Sequence, residues 1–283
     1  MVAFTRASRL WDGASFDSAE VFKLDAVAEP TLFEVNVDTG AVERAFGGGL
    51  FYMPHAVRAD PVEPGVLWVV DVGSHTIVKF DMESNTVLQT AGVKLQPKHD
   101  ATGFCKPTDV AFSTDGALAY VTDGYCNSRI VVLRRSDMAV DRVIALDRFQ
   151  VPHSIAVACC GSRDVLWVCN REAGSVVVVD AATGALRGTV RAWASEQLPY
   201  GVSLASRGRV VVGLANHGGI GALWTSDDGV ACADGAPGSS VKGVTRAISD
   251  MVQPHLMHVL GESLLVAEAN DGKLRGALWH VNL

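Results

Sequence analysis

The sequence has no apolar run long enough to cross a membrane. Its longest apolar stretches, such as VLWVV and SVVVVD, have the length of β-strands, far below the about 18–20 residues that a membrane-spanning helix needs. Basic runs are also absent, and the net charge of −7 argues against a nucleic-acid-binding surface. The N-terminal MVAFTRASRLWDG has charged and turn residues near its start, so it does not predict a signal peptide.

Helical periodicity of useful length is missing as well, and only 7% of the residues are aromatic. With 28 glycines, the composition favours a turn-rich, all-β protein. None of the six cysteines forms a CxxC pair, which argues against a cysteine-ligated zinc site. The adjacent Cys159 and Cys160 are interpreted as two small buried thiols.

What the sequence does contain is a repeat. Five Pro-X dipeptides recur with spacings of 53, 45, 47 and 55 residues, at Pro54, Pro107, Pro152, Pro199 and Pro254. Each is followed by an apolar segment, then by a second strand that often ends in an acidic or amide residue, then by a third strand. Several units add a fourth. Four short strands with a period of about 45–50 residues are typical of a β-propeller blade.

The residues before Pro54 fit the same pattern with the first strand missing. The repeat therefore predicts an all-β, six-bladed β-propeller that forms a single domain over residues 1–283. Its first blade lacks the first strand in this chain. The predicted blades are approximately 1–50, 51–103, 104–149, 150–195, 196–250 and 251–283.

Three of the eight histidines directly follow the repeated prolines. His55, His153 and His255 occupy the same position in the second, fourth and sixth blades. Alternate blades of six lie about 120° apart around the channel axis, so the three imidazoles are expected to converge. Three neutral imidazoles with vacant positions indicate a catalytic zinc site. Thr108 and Tyr200 stand at this position in the intervening blades and are expected to leave the ring of ligands open.

The alternative is that each Pro-His pair only marks the start of a strand, with proline fixing φ where no ladder N–H is needed. The recurrence on every second blade favours the metal. The remaining histidines are interpreted as non-ligands, and they are His75, His99, His217, His258 and His280.

A second group of candidate residues lies in GFCKPTDVAFSTDGALAYVTDGYCNSRIVVL, residues 103–133. Cys105 precedes the inner strand of the third blade and Cys126 follows its second strand. Adjacent antiparallel strands return to the same end, so the two thiols can meet in a disulfide. That bond would hold the loop of Tyr125 at the channel mouth, where a nearby zinc ion could lower the tyrosine pKa below about 10. The alternative for a loop tyrosine is surface packing.

Together, FCKPTDV, DGYCNSRIV, MPHAV, VPHSIAV, NREAGSV and RLWDGASFD resemble the peptidyl-α-hydroxyglycine α-amidating lyase family, an NHL-type propeller family. The resemblance covers nearly the whole chain in order and is weakest between about 196 and 250. It implies a six-bladed propeller, a zinc ion on the three Pro-His histidines and a catalytic tyrosine at Tyr125. It also implies a Cys105–Cys126 disulfide and functional arginines at Arg6 and Arg171.

The chain departs from the family pattern at several positions. Trp167 and Val178 stand where the cysteines of a second family disulfide would be, and Gln253 stands where methionine is usual. The family has a structural Ca²⁺ ion whose aspartate is replaced here by Leu256. The strand that gives this ion a backbone carbonyl lies before Met1. The resemblance therefore does not carry calcium over to this chain.

The implied reaction cleaves the N–Cα bond of a peptide ending in α-hydroxyglycine, giving a peptide amide and glyoxylate. It implies work in the secretory lumen or outside the cell, with an upstream copper monooxygenase domain or a separate enzyme as partner. We expect that this chain binds no nucleic acid and contains no membrane span. One alternative is an inactive propeller that acts as a scaffold for a peptide or protein. A calcium-dependent, lactonase-type propeller ranks third, because such sites use carboxylates and amides around a hard cation.

Overall fold

The computed structural model describes residues 1–7, 9, 13–216, 221–232, 241–248, 251, 254–260, 263–268 and 278–282. In these ranges the chain forms 22 β-strands and four short 3₁₀ segments, which are Gly13–Ser15, Arg171–Ala173, Ser206–Gly208 and Val230–Cys232. It divides into two compact units, Met1–Val143 and Ile144–Leu283. Among the described residues, no helix has the length and apolarity required to cross a membrane.

The first unit contains three antiparallel sheets in which consecutive strands pair. The first sheet has three strands, β1 (Val2–Phe4), β2 (Leu32–Val35) and β3 (Val42–Phe46). The second has β4 (Pro54–Ala59), β5 (Val66–Asp71), β6 (Thr76–Asp81) and β7 (Thr86–Ala91). The third has β8 (Asp109–Phe112), β9 (Leu118–Asp123), β10 (Arg129–Arg134) and β11 (Val140–Ala145), whose last residues cross the boundary between the units.

The second unit repeats this pattern. Its first sheet has β12 (Pro152–Cys160), β13 (Arg163–Asn170), β14 (Ser175–Asp180) and β15 (Leu186–Val190). The next has β16 (Gln197–Ala205), β17 (Arg209–Asn216), β18 (Gly221–Ser226) and β19 (Gly243–Ala247). The last has three strands in the described residues, β20 (Pro254–Leu260), β21 (Ser263–Glu268) and β22 (Leu278–Asn282).

Six successive antiparallel sheets, each a meander of three or four strands, confirm the predicted fold class, an all-β, six-bladed β-propeller. Each sheet lies within one of the predicted blade segments. The prediction that residues 1–283 form a single domain stays a prediction.

Burial within the four-stranded sheets explains the apolar runs of the sequence. Every residue of β5 is buried, and so is every residue of β14 except its terminal Asp180. Such strands read as continuous apolar runs, because both of their faces are covered. The outermost strands differ, and all five residues of β19 are exposed. The sequence therefore signals the middle strands of each blade more strongly than the outer ones.

Two fully buried tryptophans, Trp68 and Trp167, each have an acceptor for the indole N–H group. Trp68 donates to the Asp60 carboxylate at 2.8 Å, and Trp167 donates to the Ala231 carbonyl at 3.1 Å. Trp167 also pairs across the β13–β14 ladder with Val178. These are the two positions at which the family pattern has a disulfide, so an apolar cross-strand pair stands there in this chain.

Candidate metal centre and active site

Each Pro-His histidine lies at a break in strand register. The ladder of β4 skips His55, and the ladder of β20 skips His255. On β12 the ladder skips His153 together with Ser154. Such bulges release a side chain from the strict in–out alternation of a strand and are common beside functional sites. The three histidines therefore share a backbone irregularity, which the Pro-His dipeptide alone does not reveal.

In the first unit, His55 is fully buried and its two ring nitrogens have different partners. Nδ1 lies 2.6 Å from the Thr108 carbonyl oxygen. A carbonyl can only accept, so Nδ1 carries the proton and Nε2 has the lone pair. The Tyr125 hydroxyl lies 3.2 Å from Nε2 and donates to it. Fixing Nδ1–H on a backbone carbonyl is the arrangement that prepares Nε2 of a histidine for a metal ion.

Arg6 lies beside this histidine and tyrosine. Its Nε donates to the Pro54 carbonyl at 3.1 Å, directly before His55 in the chain. Burial lowers the pKa of the Arg6 guanidinium, and the neighbouring Tyr125 and Asp71 partly offset that shift. The first unit thus brings together three residues that sequence reasoning singled out.

Asp71, for which the sequence predicts no role in the site, fixes the start of β4. Its carboxylate accepts the backbone N–H groups of Tyr52, Met53 and Gly73 at 2.7, 2.7 and 3.0 Å. Burial raises the Asp71 pKa, while hydrogen bonds from the Tyr52 and Met53 N–H groups and from Ser74 oppose the rise. The signal was present in the sequence, because Asp71 is the acidic residue that ends the second strand of its blade.

The same type of hydrogen bond, from a backbone N–H to the side chain that ends the second strand, recurs in two further blades. Asp123 accepts the backbone N–H of Cys105 at 2.9 Å, and Asn170 accepts that of Gln150 at 2.6 Å. In each blade, the acid or amide at the end of the second strand therefore fixes the segment that leads into the inner strand.

The loop of Tyr125 is fixed by covalent and polar links. Cys105 and Cys126 form the expected disulfide, with Cα atoms 5.5 Å apart. The Asn127 amide donates to the Lys98 carbonyl at 2.8 Å and to Asp123 at 2.7 Å. Since both sides of the loop are tied down, the tyrosine ring is held edge-on to His55, with 5.7 Å between ring centroids.

Removing this disulfide has a predictable cost. The bond closes a loop between positions 21 residues apart, for which chain entropy predicts about 3 kcal/mol. We expect Cys105→Ser/Cys126→Ser to lower the free energy of unfolding in urea by about this amount. Cys159→Ser is the matched control, because that thiol is exposed and free. An unchanged unfolding free energy in the double variant would contradict the assigned role of the bond.

In the second unit, His153 and His255 lie side by side. Their ring centroids are 4.7 Å apart with an interplanar angle of 87°. The Nδ1–H of His153 donates to the Tyr200 carbonyl at 2.7 Å, which again leaves Nε2 with the lone pair. Two imidazoles at this separation suit ligation of one small cation.

The hydrogen bonds of His55 and His153 follow the sequence repeat. Their acceptors, Thr108 and Tyr200, lie 53 and 47 residues further along the chain. Those separations equal two of the spacings between the Pro-X dipeptides. Each of the two histidines is therefore oriented by the residue at its own repeat position in the next blade.

Arg171 contacts Tyr200, whose ring lies beside the two histidines of the second unit. It opens the 3₁₀ segment Arg171–Ala173, and its guanidinium lies 5.3 Å over the Tyr200 ring centroid. It also pairs with Glu172 at 2.8 Å. The sequence predicts that Tyr200 leaves the ring of ligands open, and the structure does not test this. The Tyr200 ring centroid lies 5.6 Å from those of His153 and His255.

Together, His55, His153 and His255 are three histidines that can hold a metal ion. The donor set fits zinc, which binds imidazole nitrogen, and two of the three rings already have their second nitrogen engaged by a carbonyl. Leu256 lies on β20 and pairs with Ala267, while Gln253 lies outside the described residues.

Among the other histidines, His75 is fully buried, and His217 lies outside the described residues. His99, His258 and His280 are exposed. The His75 Nδ1 accepts the Lys106 backbone N–H at 3.0 Å. Burial lowers the His75 pKa from its usual 6.5 to about 4. The imidazole is therefore neutral in the folded protein at pH 7.

This neutral histidine predicts a loss of stability in acid. Because its pKa is lower in the folded state, only the unfolded chain takes up its proton as the pH falls from 6.5 to about 4. Between pH 7 and pH 4, the free energy of unfolding of the wild type should fall by about 3 kcal/mol more than that of His75→Asn. Urea denaturation at both pH values measures the difference. Asparagine suits the control because φ is +60° here. Equal losses in both proteins would contradict the prediction.

The interpretation of Cys159 and Cys160 as two buried thiols is wrong. Cys160 forms a disulfide with Cys232, 72 residues away, and Cys159 is exposed. Adjacent residues of a strand point to opposite faces, so the two side chains diverge. Cys169 is buried and takes part in neither of the two disulfides.

The fold and these side chains define a β-propeller protein with a histidine group able to hold a metal ion. No protein-family model matches the chain. It is 36% identical over 180 residues to a probable peptidyl-α-hydroxyglycine α-amidating lyase of Caenorhabditis elegans, covering 61% of this chain and 50% of that protein. It is 34% identical over 182 residues to peptidyl-α-hydroxyglycine α-amidating lyase 2 of Drosophila melanogaster, covering 62% and 44%.

A third relative is the peptidylglycine α-amidating monooxygenase of Rattus norvegicus, 35% identical over 188 residues, with 62% of this chain and 19% of that protein covered. The chain thus spans half or less of the length of these relatives. Their names confirm the resemblance inferred from the motifs.

Solved structures agree on the fold. A chain of the mitotic checkpoint complex superposes with a TM-score of 0.61 at 15% identity, covering 99% of this chain and 93% of that one. The RRP9 WD40 repeats superpose with a TM-score of 0.55 at 14% identity, covering 91% and 64%. At these identities the likeness concerns the fold alone.

Proposed function

We propose that this chain is a zinc-dependent peptidyl-α-hydroxyglycine α-amidating lyase. It would cleave the N–Cα bond of a peptide ending in α-hydroxyglycine and release the peptide amide and glyoxylate. The observation that carries the proposal is the pairing of a tyrosine hydroxyl with Nε2 of a Pro-His histidine. This pairing occurs in a chain similar to proteins named for that reaction.

His55, His153 and His255 would hold the zinc ion. Nδ1 of His55 and His153 is occupied by a backbone carbonyl, so Nε2 is the ligating atom of these two. When bound, zinc supplies a Lewis acid that lowers the pKa of the substrate hydroxyl.

Tyr125 is the proposed base. Its hydroxyl oxygen lies 3.2 Å from Nε2 of His55, the proposed ligand atom. A substrate hydroxyl held beside that nitrogen would therefore be close to the phenol, as a general base requires. As a phenolate it would accept the proton of the substrate hydroxyl. The C–O bond then becomes a carbonyl, the N–Cα bond breaks, and its electron pair goes to the departing amide nitrogen. Tyr125 would return the proton to that nitrogen, so the step is balanced.

Arg6 or Arg171 would bind the substrate carboxylate, because a guanidinium fork suits a planar anion. Arg6 lies beside Tyr125, and its pKa is lowered by burial. A partly buried cation of this kind gains from an anionic partner. Arg171 lies over the Tyr200 ring, whose other neighbours are His153 and His255.

We propose the secretory lumen or the extracellular space as the place of action, since the two disulfides fit an oxidising compartment. The substrate would come from a copper monooxygenase, either a domain upstream in the same protein or a separate enzyme. One of the relatives is named as a monooxygenase.

The test is incubation with a peptide that ends in α-hydroxyglycine, with glyoxylate and the peptide amide both quantified. We expect equimolar products, loss of turnover with a chelator, and recovery with added zinc. The carbinolamide also breaks down in base, so His153→Ala is run in parallel near neutral pH. Release no faster than with that variant, or insensitive to the chelator, would contradict the proposal and favour a scaffold function.

A further inference from the structure

Tyr200 is presented by the same backbone device as the histidines. It follows Pro199 in the fifth blade, and the β16 ladder passes from Pro199 to Gly201 and skips it. The side chain is therefore aimed by a bulge, although it is not an imidazole. The fifth blade thus has the same bulge at the repeat position, although the residue there is not one of the proposed zinc ligands.

The contacts of Tyr200 involve both histidines of the second unit. Its carbonyl accepts the Nδ1–H of His153 at 2.7 Å. Its ring centroid lies 5.6 Å from that of His153, at an interplanar angle of 75°. It lies equally far from that of His255, at 44°. One residue thus limits the rotation of two proposed zinc ligands.

A third contact links the ring to Arg171. The guanidinium carbon lies 5.3 Å over the ring centroid, within the range of a cation–π interaction. The backbone supports the same placement, because the Arg171 N–H donates to the Val151 carbonyl at 3.0 Å, two residues before His153. The orientation of the arginine and that of the histidines therefore depend on one aromatic ring.

We propose that Tyr200 is a positioning residue of this site. Its ring fixes His153 and His255 as metal ligands and holds Arg171 to receive the substrate carboxylate. The inference rests on the proposed function. It assigns the carboxylate contact to Arg171 and explains why the fifth blade carries an aromatic residue at the repeat position.

Tyr200→Leu and Tyr200→Phe together distinguish the contribution of the ring from that of the backbone carbonyl. Both variants retain the carbonyl that accepts from His153, and only the phenylalanine retains the ring. With zinc as the probe, in competition with a chromogenic chelator, Tyr200→Leu should raise the zinc Kd about 10–100-fold. Tyr200→Phe should stay within about threefold of the wild type, since the aromatic contacts remain.

Steady-state kinetics at saturating zinc provide the second readout. Tyr200→Leu should raise the KM for the α-hydroxyglycine peptide about tenfold, the loss expected for a released cation–π partner. The kcat value should fall by less. In Tyr200→Leu/Arg171→Gln the rise in KM should be smaller than the product of the single effects, because one residue acts through the other.

A folded Tyr200→Leu with zinc Kd and KM within twofold of the wild type would overturn the inference. So would an equal loss in Tyr200→Phe, or a change in only one of the two quantities. If the leucine variant does not fold, Tyr200→Met replaces it. A wild type without chelator-sensitive glyoxylate release would refute the lyase proposal, whereas the zinc Kd would still test the positioning of the histidines.

Discussion

His153→Ala is expected to purify without zinc and to lower kcat/KM by about a thousandfold. The substitution removes one of three proposed ligands, and alanine has no side-chain donor atom to replace Nε2. Loss of a Lewis acid costs several kcal/mol, and about 4 kcal/mol corresponds to that factor. Zinc content by atomic emission and glyoxylate release by a coupled assay measure the two effects on the same sample.

The matched control is His280→Ala, which removes an exposed histidine on β22. It should keep full zinc and full turnover. Replacing a buried residue such as His153 can impair folding. Thermal unfolding of both variants therefore checks that each one is folded. A folded His153→Ala protein that retains stoichiometric zinc would exclude this histidine as a ligand, and one that retains wild-type turnover would exclude the zinc mechanism.

Tyr125→Phe should also lose activity but should retain zinc, with kcat lowered about 10²–10⁴-fold. Only the hydroxyl oxygen is removed, and proton transfer by a positioned side chain contributes a factor of this size. The ring can keep its edge-on contact with His55 and the adjacent disulfide is untouched. KM should change little, because no carboxylate contact is lost.

Tyr120→Phe is the control for this variant. Tyr120 is a buried tyrosine on β9, the strand that precedes the loop of Tyr125. It should keep wild-type kcat even if stability falls. Wild-type turnover in Tyr125→Phe would remove the phenol from the mechanism. Loss of zinc from Tyr125→Phe would instead assign the hydroxyl to holding the metal site.

Much of the fold was accessible from the sequence because its signal is periodic. Middle strands with both faces covered appear as apolar runs such as VLWVV, and the Pro-X dipeptides mark the starts of the inner strands. The positions of His55, His153 and His255 follow from the same register. The Cys105–Cys126 disulfide was accessible because its cysteines flank two adjacent strands.

The remainder depends on contacts that have no local signal. The Cys160–Cys232 disulfide joins positions 72 residues apart, and no strand spacing relates them. Bulges at the histidines are shifts of register that a dipeptide does not encode. The sequence gives no signal for a role of Tyr200, because that role depends on the neighbouring rings of His153 and His255. Asp71, in contrast, belonged to a visible pattern of acids and amides.

The central claim is that the repeated Pro-His pairs provide three ligands to one zinc ion. Zinc K-edge X-ray absorption of the purified protein tests it most directly. We predict one zinc per chain with three imidazole nitrogens at about 2.0–2.1 Å and one further light ligand. A sulfur shell at about 2.3 Å, fewer imidazoles, or a protein that binds no zinc when it is supplied would contradict the account.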